Sequence, residues 1–287
     1  MEQVLRLREG RVFEFTKMEM MGIVNVTPDS FYAESRMMDA SSDPVGRALA
    51  KAGQHIAEGS RMIDIGGEST RPGSDPVTAE EEIARICPVI EQLHAEHPEI
   101  VISADTYRAE TAEAALEAGA DMINDISGLS FEPKLADVVA DAGAAIVLMH
   151  TGGRPRSMQE DPHYENVVEE VYRFLHRQRD FAAARGISWD QILIDVGIGF
   201  GKTREHNLEL LHHIDRFDAL GCPHLLAVSR KSFIGSTLGR EDPAERLPGT
   251  LAVTAYGAAH GMAAARVHDV RENLDAARMA EALMRGY

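Results

Sequence analysis

The sequence predicts a single (β/α)8 barrel (a TIM barrel), and three observations carry that expectation. Eight short apolar runs recur along the 287 residues, centred on 22–24, 62–65, 100–102, 122–123, 146–149, 192–194, 225–228 and 264–267. Amphipathic helical patterns lie between them, at 79–96, 109–118, 166–184, 207–214 and 244–260, and another at 272–284 ends the chain. Apolar strands alternating with helices are the pattern of a parallel sheet covered on its outside. The third observation is what stands at the end of each run: Asn25, Asp64, Asp105, Asn124, His150, Asp195, Ser229 with Arg230 and Lys231, and His268. One polar residue there is an ordinary cap. Eight together converge, in a barrel, on the C-terminal mouth where barrel enzymes place their chemistry. An open doubly wound sheet is the alternative, but it would carry a glycine fingerprint after its first strand. Here that strand runs into Asn25-Val26-Thr27-Pro28.

Composition narrows the function classes. Hydrophobic residues make up 44 % and charged residues 26 %, ordinary for a soluble globular domain. A formal net charge of −17 argues against nucleic acid and against an anionic membrane surface as partners, so a phosphate-bearing ligand must be caught by a few local cations. Cys87 and Cys222 each precede a proline and neither sits in a CxxC pair, which points to a reducing compartment and away from zinc. Glu2, Arg6, Arg8 and Glu9 leave no apolar leader at the N-terminus, and no run reaches membrane-spanning length. The expectation is a cytoplasmic protein with one domain, 1–287.

Taken in order, residues 1–17 alternate Leu5/Leu7 and Phe13/Phe15 with charged residues around Glu9-Gly10, a hairpin signal. We expect this extension to cover the bottom of the barrel. The stretches 28–44 and 68–78 are long and rich in Ser, Gly, Pro and Asp, and 151–163 carries Gly152-Gly153-Arg154-Pro155-Arg156. Long structureless loops in a compact domain are usually functional. Thr78 and Glu81 form a capping box before the helix at 79–96, whose Glu80-Glu81-Glu82 start suits the helix dipole.

The stretch ILIDVGIGFGK at 192–202 is the most informative. A buried-strand signal ends on Asp195, and Gly197, Gly199 and Gly201 then allow tight turns or close approach to a ligand. A carboxylate at the mouth of an apolar strand is costly unless paired, and a planar ligand edge carrying N–H donors would pair with it. The alternative is an Asp bonded to loop amides. Gly201-Lys202-Thr203 is no phosphate loop, because the required glycine at 196 is Val196, and Lys202 reads as a loop charge near the mouth. Lys231 opens a helix, where the dipole disfavours a cation, so a merely solvated role is a poor reading. Arg266 could be a buried structural ion pair, and His268 with Asp269 a helix-capping pair. His94, His97, His212 and His213 lack ligand spacing and are expected at the surface.

Together, MGIVNVTPDSF (21–31), IDIGGESTRPG (63–73), SADT (103–106), INDISG (123–128), LMH (148–150), DVGIGFGK (195–202), SRKS (229–232) and RVHDV (266–270) resemble the dihydropteroate synthase family of pterin-binding barrels. The resemblance covers nearly the whole chain, and GGESTRPG with SRKS is very specific. It implies an enzyme joining 4-aminobenzoate to 6-hydroxymethyl-7,8-dihydropterin pyrophosphate, with Mg2+ as cofactor. By that resemblance Asp195, with Asn124 and Asp105, takes the pterin's amino and ring N–H edge, and Met149 borders the same slot. Lys231 donates to the pterin carbonyl side, and Arg266 stacks on the pterin face. Asn25, Thr70, Arg266 and His268 hold the pyrophosphate, with Asn25 also facing Mg2+. Phe31, Arg71, Pro72, Phe200, Lys231 and Ser232 frame 4-aminobenzoate. Asp64 resembles a group steadying the mouth. Asp105, Asp195, Lys231 and Arg266 are the residues the resemblance makes catalytic. It also implies a homodimer, with 244–260 and 272–284 as the candidate surface.

The implied chemistry needs no strong base, since a neutral arylamine is already nucleophilic. The difficult step is departure of the diphosphate, and a dihydropterin ring that delocalises positive charge at its exocyclic carbon implies a loose, SN1-like transition state. Three places depart from the family pattern. Val196 stands where proline is usual, Ala104 replaces a bulkier strand residue, and Tyr32-Ala33-Glu34-Ser35 replaces a Ser-Asp-Gly-Gly loop, which leaves that loop's contacts open. Two alternatives share the barrel. A corrinoid-linked methyltetrahydrofolate methyltransferase would use the Asp/Asn slot without needing Arg71, Lys231 and the diphosphate set. A non-catalytic pterin-binding homologue would not need an intact Asn25/Arg266/His268 set.

Overall fold

The computed structural model describes residues 3–27, 43–69 and 74–285. Its first element is the expected hairpin. Strand β1 (Gln3–Arg6) pairs antiparallel with β2 (Val12–Phe15), Leu5 opposite Phe13. The turn passes through Glu9 and Gly10, both with positive φ. Leu5, Leu7, Phe13 and Phe15 are all buried on one face, as a two-residue side-chain period requires. Arg11 ties the hairpin to Asp121 at 2.7 Å, below the barrel strands.

Eight parallel strands follow: β3 (Glu19–Asn25), β4 (Met62–Gly66), β5 (Val101–Asp105), β6 (Met122–Asp125), β7 (Ala145–Met149), β8 (Ile192–Asp195), β9 (Leu225–Leu226) and β10 (Ala264–Val267). They form one sheet in the order β8-β7-β6-β5-β4-β3-β10-β9, and a parallel bridge between Ile194 and His224 brings its two ends together. The helices are α1 (Pro44–Ala57), α2 (Ala79–Glu96), α3 (Ala109–Glu117), α4 (Leu135–Asp141), α5 (Val167–Ala184), α6 (Arg204–His212), α7 (Ser232–Leu238), α8 (Leu247–Ala259) and α9 (Val270–Arg285).

Strand alternation divides the core in two. Ile63, Ile65, Ile102, Ala104, Ile123, Ile146, Leu148, Ile192 and Ile194 pack outward with the helices. Met21, Met62, Val101, Met122, Ala145, Val147, Leu193, Leu225 and Ala264 cluster inside the barrel with Leu5, Leu7, Phe13 and Phe15 of the hairpin. The hairpin therefore plugs the N-terminal end, where the strands enter. Leu5→Ala would open a cavity in that plug, and urea unfolding should show a loss of about 2–5 kcal/mol.

Some helix limits differ from the sequence expectation for local reasons. The 244–260 segment is split: Pro243–Arg246 is a 3-10 turn and α8 starts at Leu247, with Pro248 in its first turn. Helix α6 starts three residues before the expected 207, because Thr203 and His206 cap each other's backbone. Helix α1, capped by Asp43 with Pro44 at its first position, and the short α4 were not among the expected helical patterns, whereas α7 starts directly after Lys231, as expected. Among the described residues no helix is long and apolar enough to cross a membrane.

Candidate active site

The same alternation that buries Met62, Val101, Met122, Leu193 and Ala264 low in the barrel puts the residues two and four positions later on the interior face near the mouth. Those residues are Asp64, Ser103 and Asp105, Asn124, Asp195 and Arg266. An apolar layer is thus overlaid by an ionised one. Asp64 is fully buried and accepts from Ser103 Oγ at 2.6 Å, Asn124 Nδ2 at 3.1 Å and Arg266 Nε at 2.5 Å. Arg266 spends its other edge on Asp105, with Nη2 donating to Oδ2 at 2.7 Å. One guanidinium therefore serves two carboxylates. Burial alone would lower the Arg266 pKa, but Asp64 and Asp105 overcompensate and hold it above its ordinary value. Burial pushes Asp105 up to about 7, and the guanidinium only partly opposes it.

Across the mouth, Asp195 is 3 % exposed and its Oδ1 accepts the Gly197 amide at 2.7 Å. Its carboxyl is raised by burial, with Lys231 the first of the cations pulling it back. Lys231 is the N-cap of α7, half-buried, and its Nζ donates to Ile198 O at 2.6 Å and lies 4.8 Å from the centre of the Phe200 ring. Burial lowers it to about 8. Gly199, at φ +82°, leaves room for that side chain: a Cβ there would meet Lys231 Cδ at 3.2 Å. Met149 faces Asp195 across the β7–β8 ladder and clusters with Tyr107, Ile126, Phe131 and Phe200 in an apolar rim. His268 Nδ1 sits 2.9 Å from Ser229 Oγ, while Asp269 is taken by Arg230 at 2.7 and 2.8 Å. The Asp269 carboxylate is thus bound to the strand-end arginine.

The mouth can accept N–H donors on a planar edge through Asp195 and Asp105, donate from Lys231, and hold an anion near Arg266 and His268. A model for the family described as "Pterin binding enzyme" matches residues 21–268. The chain belongs to that family. A dihydropteroate synthase of Synechocystis sp. is 44 % identical over 265 residues, 92 % of this chain and 90 % of that one. The solved structure of Xanthomonas albilineans dihydropteroate synthase with 4-aminobenzoic acid superposes with a TM-score of 0.91 at 40 % identity, covering all of both chains. The same enzyme in complex with 7,8-dihydropteroate gives 0.87 at 39 % identity, covering 99 % of this chain and all of that one. The chain is a barrel enzyme of the dihydropteroate synthase type.

Within that family frame, Asp105, Asn124, Met149, Asp195, Lys231 and Arg266 are brought to one mouth, with Asn25, Phe200 and His268 at neighbouring strand ends and loops. Ser232 is exposed at the first position of α7. Phe31, Thr70, Arg71 and Pro72, and the 32–35 departure, lie outside the described residues. Both readings of Arg266 hold at the level of geometry, since it is an ion pair and also faces the mouth.

One expectation is overturned. Lys202 is not a loop charge: it is 3 % exposed, and its Nζ contacts Gly197 O at 2.8 Å, His150 Nδ1 at 2.9 Å, Phe200 O at 3.0 Å and His150 O at 3.3 Å. The loop folds back over β7 and closes around it. Burial pushes Lys202 down to about 7 against the pull of Asp195, and burial followed by Lys202 pushes His150 down.

A second group went unread in the sequence. Arg108 bridges Glu68 at 2.6 Å and Glu82 at 2.9 Å, and Tyr107 Oη donates to Glu68 at 2.9 Å. This network pins the start of the loop that follows β4 to α2 and the end of β5. Its only sequence signal was the position of Glu68 in GGESTRPG.

Proposed function

We propose that this chain joins 4-aminobenzoate to 6-hydroxymethyl-7,8-dihydropterin diphosphate, releasing 7,8-dihydropteroate and diphosphate. The observation that carries the reading is the buried acceptor set, Asp105 and Asp195 with Asn124, facing Lys231 and Arg266 at one barrel mouth. The acceptors suit the pterin's amino and ring N–H groups, and Lys231 suits its carbonyl. The relatives whose structures hold 4-aminobenzoic acid and dihydropteroate support the two substrates.

The bond from the exocyclic methylene carbon to the diphosphate oxygen breaks, and the arylamine nitrogen bonds to that carbon and then releases a proton to solvent. Asp105 and Asp195 favour a pterin bearing developing positive charge, acting as electrostatic stabilisers. Arg266 and His268, with Asn25, receive the diphosphate. The apolar rim of Met149, Tyr107 and Phe200 keeps water from the carbon.

Among the described residues no group of three or more His, Cys, Asp or Glu side chains could hold a metal ion. Mg2+ commonly takes few protein ligands and is carried largely by phosphate oxygens and water. Asn25 would hold it through its side-chain oxygen, and the ion would neutralise charge on the departing diphosphate. We read the protein further as a cytoplasmic homodimer with one domain, 1–287. Tyr256 of α8 and Met279, Leu283 and Met284 of α9 are exposed apolar candidates for the dimer face. Light scattering on the purified protein tests that reading.

Diphosphate release is to be measured with the pterin diphosphate, 4-aminobenzoate and Mg2+, each omitted in turn. Release only with all three present, together with dihydropteroate by mass, establishes the reaction. Pterin binding without release would favour the non-catalytic or methyltransferase alternatives. The pH profile adds a sharper check. Asp105, pushed up to about 7, loses its acceptor role as pH falls, and Lys231, lowered to about 8, loses its charge as pH rises. The kcat/KM for the pterin should therefore be bell-shaped with limbs near those values. In Lys231→Met the alkaline limb should vanish along with most of the activity; an alkaline limb that persists assigns it to another group.

A further inference from the structure

The reaction scheme leaves Lys202 unused, although a long cation held at 3 % exposure is rare without a specific task. Its Nζ reaches three carbonyls from two different strand ends, those of Gly197 and Phe200 after β8 and that of His150 after β7. Gly197 is held on both sides: its carbonyl, in the 197–198 peptide, by Lys202, and its amide, in the 196–197 peptide, by the Asp195 carboxylate. Gly197 lies at φ +70°, and a Cβ there would fall 1.8 Å from His150 O, so only glycine lets the two strand ends meet around the ammonium. His150 N also donates to Asp195 O at 3.1 Å, and Phe200 N to Gly197 O at 3.1 Å. Lys202 and the Asp195 carboxylate therefore hold the two peptide units that flank the Gly197 Cα.

We propose that Lys202 is a positioning residue for the pterin: by fixing the 197–198 peptide it holds the backbone torsions at Gly197 and with them the amide that the Asp195 carboxylate meets, so that the free oxygen of Asp195 points at the ligand's donors. Asp195 Oδ1 is spent on the Gly197 amide, and the direction of that amide decides where Oδ2 goes. With the 197–198 peptide released from Lys202, the φ and ψ of Gly197 are free to change, glycine resists that change less than any other residue, and the neighbouring 196–197 amide is then free to tilt. In this role Lys202 acts through Asp195 rather than on the substrate itself. The inference rests on the proposed pterin reading and adds to it which residue makes the Asp195 acceptor pre-organised.

The test compares wild type, Lys202→Gln and Lys202→Met by calorimetric titration with 6-hydroxymethylpterin and by steady-state kinetics, with circular dichroism as the check of folding. Gln keeps two donors on a shorter side chain, whereas Met keeps only the apolar shape. The expected order of pterin affinity is wild type, then Gln weakened three- to tenfold, then Met weakened more than tenfold. KM for the pterin diphosphate should rise with the same factors, while KM for 4-aminobenzoate at saturating pterin stays within twofold. Pterin affinity within twofold of wild type in either folded variant overturns the inference, as does an equal rise in both KM values, the mark of a merely structural lysine. If Met does not fold, the Gln variant decides alone by the same criteria. Wild-type protein that binds no pterin overturns the parent reading and this inference with it.

Discussion

Arg266→Met is expected to cost the fold roughly 3–5 kcal/mol and to abolish measurable turnover. The stability effect follows from the charge count. Asp64 and Asp105 are both buried, and one guanidinium answers both, at 2.5 and 2.7 Å. Without it, two carboxylates face each other where Asp64 is 0 % and Asp105 only 8 % exposed. Asp105 already stands at about 7 with the guanidinium present, so its removal drives the folded-state value higher still. A group whose folded pKa lies above its unfolded value contributes stability that is complete below the unfolded pKa and is lost as pH rises through the folded one. The penalty of Arg266→Met should therefore be largest near pH 8 and shrink towards pH 5, as the stranded carboxyl takes up a proton. Urea unfolding at those two pH values measures it. Adding Asp64→Asn to Arg266→Met should recover part of the loss at pH 8 by removing one of the two stranded charges. A loss below about 1 kcal/mol, the same at both pH values, would show that water or other donors compensate the pair.

The ease with which the sequence yields this ionised layer varies from residue to residue. Asp105, Asn124 and Asp195 each end a recognisable apolar run, and a two-residue period then places them inside the barrel without further information. The hairpin was legible for the same reason, since Leu5, Leu7, Phe13 and Phe15 keep one phase across the turn. That Arg266 would take Asp64 and Asp105 together was not legible: the three residues sit on three strands, 161 and 202 positions apart from Arg266, and only ring closure brings them into contact. Lys202 was misread because a lysine after three glycines looks solvated. Its burial depends on Gly197 and Gly201 letting the loop turn back onto His150 and Gly152, a tertiary event with no local spacing rule. Arg108 was hidden likewise, its partners Glu68 and Glu82 lying on different elements. Patterns of period fix which face a residue takes; they carry no information on which distant residue meets it there.

Asp195→Asn should separate function from stability. An Asn at that position can still accept the Gly197 amide through its oxygen, but on the proposed pterin reading it turns an NH2 towards a ligand edge that itself presents donors. One charge-assisted hydrogen bond is lost and one donor–donor clash is created, so kcat/KM for the pterin diphosphate should fall roughly 10³-fold or more. Stability should move the other way or not at all. The Asp195 pKa is raised in the fold even with Lys231, Lys202 and Arg266 pulling it down, so burial of the charge outweighs everything that stabilises it. By the sign rule above, the ionised carboxylate costs stability as pH rises through its folded pKa, and a neutral amide of the same shape removes that cost. At pH 8 the variant should unfold at the same urea concentration as wild type or a higher one. A charge retained at a net cost to the fold is what a ligand-facing carboxylate looks like. Loss of both turnover and about 3 kcal/mol of stability would instead make Asp195 a structural anion of its loop, and would move the pterin contact to Asp105 and Asn124.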